Sequence, residues 1–442
     1  MSLLAFDASG SINADYGVKE HQLDSVAEEF ERIRAKIAEA NPFPCDNLAQ
    51  KSEDESSRFF RLPEKELADY AERREGSLLG RIFKVANTIH EQIDAVVVLG
   101  RSQMIEGPRA IMQASCEPFH NELSRAERGS RPRMYFGGSD FDNDTRAALL
   151  QRLSLGGYVD TPPEKRWALV MIDSDRLDAC TTLESRMAFH QTLRELEKSN
   201  WLADPSKSSN FVIPIARPDG PLGDIARSLG CEDVFEICND VPDASSVLSS
   251  ASLMPAALLG LDCMMLLEGA AMMNHHFLQS PFSENIVLQY AAVHHLLRTD
   301  RQITTRTQNV WSGALAALGK WYERLIEDQL AGIIPLTWMQ RHEFPNHHQV
   351  ITQWVVESPR IDPLATVLSD RPLPHFACEA IQHANRSAGD LCCPTMTISL
   401  SHIDSHTLGQ FFQMLMIATW VEHTMESQAG RGMGKNAVHG VG

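Results

Sequence analysis

The chain has 442 residues and a formal net charge of −18, from 40 Lys and Arg against 58 Asp and Glu, and 43% of it is hydrophobic. That is enough apolar material for one large or two medium α/β domains with buried cores. Such an acidic chain repels phosphate backbones and anionic lipid, which argues against nucleic acid and membrane surfaces as partners while still allowing a local basic pocket for a small phosphate. No apolar run reaches the length that spans a bilayer, and the opening MSLLAFDASGS lacks a basic leader region. The nine cysteines are an odd, scattered set without a C-x-x-C pair, the usage of a reducing compartment. The expectation is a soluble, cytoplasmic α/β protein.

In chain order, Val26–Ala40 carries apolar residues at helical spacing, and Lys51–Ser57 is a polar loop. Residues 1–64 therefore read as an arm and not a domain. A charged amphipathic helix from Leu62 leads into Asp94–Leu99, a continuous apolar run closed by Gly100, of the kind that a buried parallel strand requires. Similar runs at Arg133–Phe136, Trp167–Ile172 and Phe211–Ile215 are each followed by a helical pattern, such as Arg146–Leu155 or Thr182–Leu196. This strand–helix alternation predicts a doubly wound sheet over residues 65–225. The division between blocks is expected between Arg217 and Glu236. The second block, 226–426, has predicted helices at Ser252–Asn274, Asn285–Arg298 and Ser312–Ala331, with strands at Thr304–Val310, Val350–Val356 and Thr395–Leu400. A last amphipathic helix runs from about Ser405 to Glu426. The tail, 427–442, reads as a loop, with five glycines between Gln428 and Gly442.

In open α/β sheets, ligands bind beyond the carboxyl ends of strands, where loops feed helix N-termini. The first such loop is Gly100-Arg101-Ser102, in which Gly100 permits a tight turn, Ser102 offers a hydroxyl, and the helix behind it offers backbone N–H groups to an anion. The second ends in Thr181-Thr182-Leu183-Glu184, which fits a helix cap as readily as a phosphate cradle. Both loops also fit plain strand-to-helix connections. His342-Glu343…His347-His348 is the only histidine cluster that invites a metal, and it lacks H-E-x-x-H spacing, so no metal is expected.

Taken together, these pieces resemble the glucose-6-phosphate isomerase family, built from two sugar-isomerase (SIS) domains. Val96–Pro108 is similar to its V-x-G-I-G-G-S-x-x-G-P loop, and Thr181–Glu184 to the end of its S-K-x-x-x-T-x-E phosphate loop. Further along, Ser246–Ser249, Leu253–Leu258, Leu266–Ala270 and Asn285–Ala291 resemble S-V-L-T-A, L-L-P-A-A-L, L-L-E-G-A and N-P-A-L-L-Y-A. Gly319–Leu325 resembles the W-Y-x-Q-L stretch before the catalytic glutamate, and Gln428-Ala429-Gly430 with Lys435 resembles D-Q-x-G-V-E-x-x-K. The resemblance implies two SIS-type, flavodoxin-like, doubly wound parallel-sheet domains with a C-terminal helical arm. It also implies a homodimer that interconverts an aldose and a ketose phosphate, glucose 6-phosphate and fructose 6-phosphate, without a cofactor.

Residue by residue, the resemblance implies phosphate binding by Ser102, Thr181, Thr182 and Arg101. Asp328, or Glu327 beside it, stands as the base, and a solvated charged helix face is the bland alternative for both. His348 (or His347) and Lys435 are assigned to ring opening. Three departures stand out. Asp328 is one methylene shorter than the family's glutamate, Arg101 replaces a loop glycine, and Ala244 in Val241–Ser246 replaces the arginine of V-G-G-R-x-S. The missing cation could come only from another loop, from Arg101, Arg176 or Arg186. The rival expectation is a catalytically degenerate protein that binds sugar phosphate on the same scaffold.

Overall fold

The computed structural model describes residues 3–12, 15–41, 55–154, 166–173, 179–199, 202, 204–217, 219–237, 241–344, 348–366 and 369–436. The chain divides into two compact units: Leu62–Met264, and Met1–Arg61 together with Met265–Gly442. The second of these opens the chain with β1 (Ala5–Asp7) and α1 (Glu20–Ala40).

The Leu62–Met264 unit contains α2 (Leu62–Arg73), α3 (Leu78–His90), β2 (Ala95–Leu99), α4 (Ser102–Ser115), β3 (Arg133–Gly137), α5 (Asn143–Ser154) and β4 (Trp167–Asp173). It continues through α6 (Ala179–Glu197), β5 (Val212–Ala216), α7 (Pro221–Leu229), β6 (Phe235–Glu236) and α8 (Ser250–Leu258). All five strands are parallel, in the order β3-β2-β4-β5-β6. After β2 the chain first adds β3 on one side and then β4 on the other, so the winding reverses between β2 and β4. Such a switch point opens a crevice beyond the carboxyl ends of the strands. The centre of this sheet is dry: every residue of β4 and all of β2 after Ala95 are buried.

The remaining elements belong to the unit that opens the chain, Met1–Arg61 with Met265–Gly442, which α9 (Cys263–Gln279) enters near its own start. They are α10 (Ile286–Arg301), β7 (Thr305–Val310), α11 (Ala316–Gln329), β8 (Ile334–Met339), β9 (Gln349–Val356), β10 (Ala365–Thr366), β11 (Ser369–Pro372), α12 (Leu373–Asp390), β12 (Thr395–Leu400) and α13 (Ser405–Asn436). The sheet order is β1-β12-β9-β7-β8, parallel except for β1, which pairs antiparallel with β12. Here the winding reverses between β7 and β9.

β7 is buried yet polar, and several of its polar side chains have fixed partners. Arg306 meets Glu422 of α13 on one face. On the other, Thr307 Oγ1 donates to Gln349 Oε1 and Asn309 Nδ2 to Gln353 Oε1, both at 2.9 Å. Apolar packing surrounds this line of polar groups. Trp321 meets Phe412, and Trp354 meets Phe411, edge-on with ring centroids 4.7 and 4.8 Å apart.

The structure corrects four sequence expectations. The N-terminal segment is no free arm, since β1 supplies an edge strand and α1 packs on α10 and α13. The boundary falls after Met264 and not between Arg217 and Glu236, because β6 pairs with β5 as the fifth strand and α8 packs on α3 and α4. Ser252–Asn274 is two helices and not one: Gly260 takes φ +64°, a left-handed conformation that ends α8. Finally, α13 continues to Asn436. Glycines cost about 1 kcal/mol each in a helix interior, which is why that stretch reads as a loop. Among the described residues no helix is long and apolar enough to cross a membrane.

Candidate active site

In the Leu62–Met264 unit, α4 and α6 both begin at the carboxyl edge of the sheet, on the two strands that flank the switch point. Gly100 is required there, since a Cβ at this position would lie 2.9 Å from Ile172 O and 3.0 Å from Ile105 Cγ2. Arg101 then takes the extended N-cap position, and Ser102 opens α4 with its side chain half-buried. The first-turn N–H groups of such a helix have no intrahelical acceptors and carry the positive end of the dipole, which favours an anion.

Arg101 itself is turned inward. Its guanidinium pairs with the carboxylate of Asp243, and both side chains are 8% exposed. Asp243 begins a 3-10 helix, Asp243–Leu248, whose residues are all buried, among them Ala244, Ser245 and Ser246. α4 is seated directly on this turn: a Cβ at Gly107 would lie 2.9 Å from Val247 Cγ2. Ser246 Oγ donates to Asp243 O at 2.6 Å, closing the turn.

Thr181 and Thr182 lie in the first turn of α6, so their backbone is at a helix N-terminus as expected, while their side chains lie outside the described residues. Asp173, at the end of β4, is 1% exposed and pairs at 3.6 Å with Arg186 of α6. Arg176 lies outside the described residues.

In the other unit, Glu327, Asp328 and His348 each lie next to the amino edge of the sheet. α11 runs back from the carboxyl end of β7 and ends at Gln329 before β8 begins, which puts Glu327 and Asp328, both exposed, in its last turn. Glu327 is bound to Arg324 at 2.6 Å, an exposed i, i+3 pair. His348, also exposed, immediately precedes β9 at the same edge, and His347 lies outside the described residues. The returning helix α13 reaches this edge too, through Arg306–Glu422 and Arg298–Glu426. Lys435 lies in the last turn of α13, with its side chain outside the described residues.

One residue at this edge escapes sequence reading. His423 of α13 places Nδ1 2.8 Å from the carbonyl oxygen of Gln329, the residue after Asp328. A carbonyl oxygen only accepts, so the proton sits on Nδ1, and in the neutral ring Nε2 is the acceptor. Inside a long amphipathic helix, no spacing signal marks this histidine. Among the described residues no cluster of His, Cys, Asp and Glu is placed to hold a metal ion.

No family model matches the chain. It is 29% identical over 217 residues to a glucose-6-phosphate isomerase of Caldanaerobacter subterraneus subsp. tengcongensis, a match that covers 49% of this chain and 44% of that protein. It is 24% identical over 372 residues to a glucose-6-phosphate isomerase of Symbiobacterium thermophilum, with 79% of each chain covered. The chain thus spans less than half of the first relative and about four-fifths of the second. Among solved structures, a glucose-6-phosphate isomerase from Chlamydia trachomatis superposes with a TM-score of 0.68 at 12% identity, over 94% of this chain and 85% of that one, which establishes the α/β fold. In sequence, and separately in fold, the chain is similar to glucose-6-phosphate isomerases.

Proposed function

We propose that this chain is an aldose–ketose isomerase that interconverts glucose 6-phosphate and fructose 6-phosphate through an enediolate. The observation that carries the reading is the colinear set of motifs, and a glucose-6-phosphate isomerase 24% identical over 372 residues supports it. In this reading the N-termini of α4 and α6, with Ser102, Arg101, Thr181 and Thr182, hold the phosphate. Asp328 moves the proton between C2 and C1. His348 and Lys435 open the ring, and no cofactor takes part. Asp328 is preferred to Glu327 because the alignment on Trp321-Tyr322 places it where the family's base glutamate stands. The working form is a homodimer, which sedimentation of the purified protein checks.

The test is a coupled assay of fructose 6-phosphate conversion on wild type, Asp328→Asn and Glu327→Gln. Loss of a general base costs about 10²–10⁴-fold in rate. The expectation is therefore a fall of at least about 10²-fold in kcat for Asp328→Asn and near-wild-type turnover for Glu327→Gln. Full activity in Asp328→Asn would remove Asp328 from the role. No turnover in wild type, with a thermal shift on adding sugar phosphate, would instead support the binding protein that Ala244 suggests.

A further inference from the structure

We infer that Arg101, held by Asp243, is the guanidinium that stabilises the enediolate in this chain, replacing the arginine lost at Ala244. The inference rests on the isomerase reading above and assigns Arg101 away from the phosphate.

Two departures from the family pattern, far apart in sequence, meet in the structure. Arg101 stands where the resemblance places a loop glycine, and Ala244 where it places an arginine. Arg101 and Asp243 are 142 positions apart, yet their side chains are joined. Asp243 is the residue before Ala244, so the Arg101 side chain delivers its charge to the very turn from which an arginine has been removed. Ala244 itself is 1% exposed, and the methyl group leaves no reach of its own.

The support is rigid. Arg101 is fixed by the N-cap geometry of α4, Asp243 by the 3-10 turn that Ser246 closes, and α4 by its close approach to Val247 at Gly107. Arg186, the other described candidate, pairs with Asp173 within its own β4–α6 connection and not with the turn that carries Ala244.

The chemistry needs a fixed cation here. When the base takes the proton from C2 of the open aldose, the C2–H pair becomes the C1–C2 double bond. The former carbonyl pair moves onto O1, which becomes negative. Returning the proton to C1, and moving the O2 proton to O1, completes the ketose with no atom gained or lost. A guanidinium stays protonated throughout. Asp243 orients it, so the donor stands in place before the charge develops in the transition state. Asp243 is thus a positioning residue.

The experiment compares Arg101→Lys, Asp243→Asn and the exchange Arg101→Gly with Ala244→Arg. It reads kcat, KM, and inhibition by inorganic phosphate and by a phosphorylated sugar hydroxamate that mimics the enediolate. Lysine keeps a cation beside Asp243 but not the planar fork, so folding is protected; circular dichroism and thermal melts check this for each variant. Removing one such stabilising group costs about 10²–10³-fold in kcat. The expected result for Arg101→Lys is a fall of that size, weaker hydroxamate inhibition, and unchanged inhibition by phosphate. Asp243→Asn should shift the same quantities in the same direction by a smaller factor, and the exchange variant should recover much of the loss. A raised KM with weaker phosphate inhibition at constant kcat would return Arg101 to phosphate binding and overturn the inference alone. So would full activity in Arg101→Lys. A wild type with no turnover and no hydroxamate binding would overturn the isomerase reading itself, and this inference with it.

Discussion

The sharpest test of the Met1–Arg61 and Met265–Gly442 unit is to neutralise one half of its buried ion pair. Arg306 and Glu422 have side chains 1% exposed, and Arg306 Nη1 donates to Glu422 Oε1 at 3.1 Å in a two-pronged contact. Glu422→Gln keeps the shape and one acceptor but leaves a buried guanidinium without a counter-charge. The neighbours cannot supply one. Burial holds His294 neutral, pushing its pKa well down, and burial raises the pKa of Tyr290 and Tyr322, whose hydroxyls are 3.2 Å apart. Arg298 is a second cation close enough to be felt, and it is engaged by Glu426. Breaking a buried pair in this way costs about 3–5 kcal/mol. In a unit of roughly 240 residues, each 1 kcal/mol shifts the melting temperature by about 2–4 °C. The expected drop is therefore about 6–20 °C, read by calorimetry, with faster hydrogen exchange at the β7 amides to locate it. Replacing both partners, Arg306→Met with Glu422→Leu, should leave stability unchanged or raise it by about 1–4 kcal/mol. A Glu422→Gln protein that melts within about 2 °C of wild type would refute the reasoning, because no buried charge would then have gone uncompensated.

Two further outcomes follow from the same unit. A Cβ on Gly269 would stand 1.9 Å from His406 O, and one on Gly409 1.9 Å from Leu266 O, so α9 and α13 meet backbone to backbone. Gly269→Ala should cost at least about 1–3 kcal/mol by overpacking, whereas Gly313→Ala, which meets nothing within 4 Å, should be close to neutral in urea titrations. The second concerns pH. The folded pKa of His294 is depressed by burial first and by Arg306 second, so the unfolded chain binds the extra proton. Stability contributed by keeping this ring neutral is present above about pH 6.5 and falls as pH drops, by up to about 1.4 kcal/mol per pH unit. His294→Leu should flatten that dependence between pH 7 and 5, and parallel wild-type and variant curves would count against it.

The legible parts of the fold are those whose burial is uniform. β2 and β4 read directly from sequence because parallel central strands are apolar on both faces. Asn285 at the head of α10 reads as well, and its side chain accepts from Leu288 N at 3.2 Å. β8 is invisible because it is an edge strand with no fully buried residue. β1 and β6 have three and two residues, too few for any periodicity to register. α12 buries only Ala384 and Ala388, although its apolar residues recur at helical spacing.

The candidate site divides along the same physical line. Gly100-Arg101-Ser102 is legible because a strand, a glycine and a helix start are adjacent in the chain. The role of Arg101 is not, since it depends on Asp243, which local sequence cannot connect to it. Ala244 read alone says that a cation is missing. Read beside the Arg101–Asp243 pair, it says that the cation arrives from another loop. His423 is the same case in the other unit, meaningful only through the Gln329 carbonyl that fixes its tautomer. Motif matching scores positions one at a time and so registers each exchanged residue as a loss. Chemistry depends on where a charge stands and not on which residue carries it, so a pattern broken at two places that touch in the fold is still compatible with function.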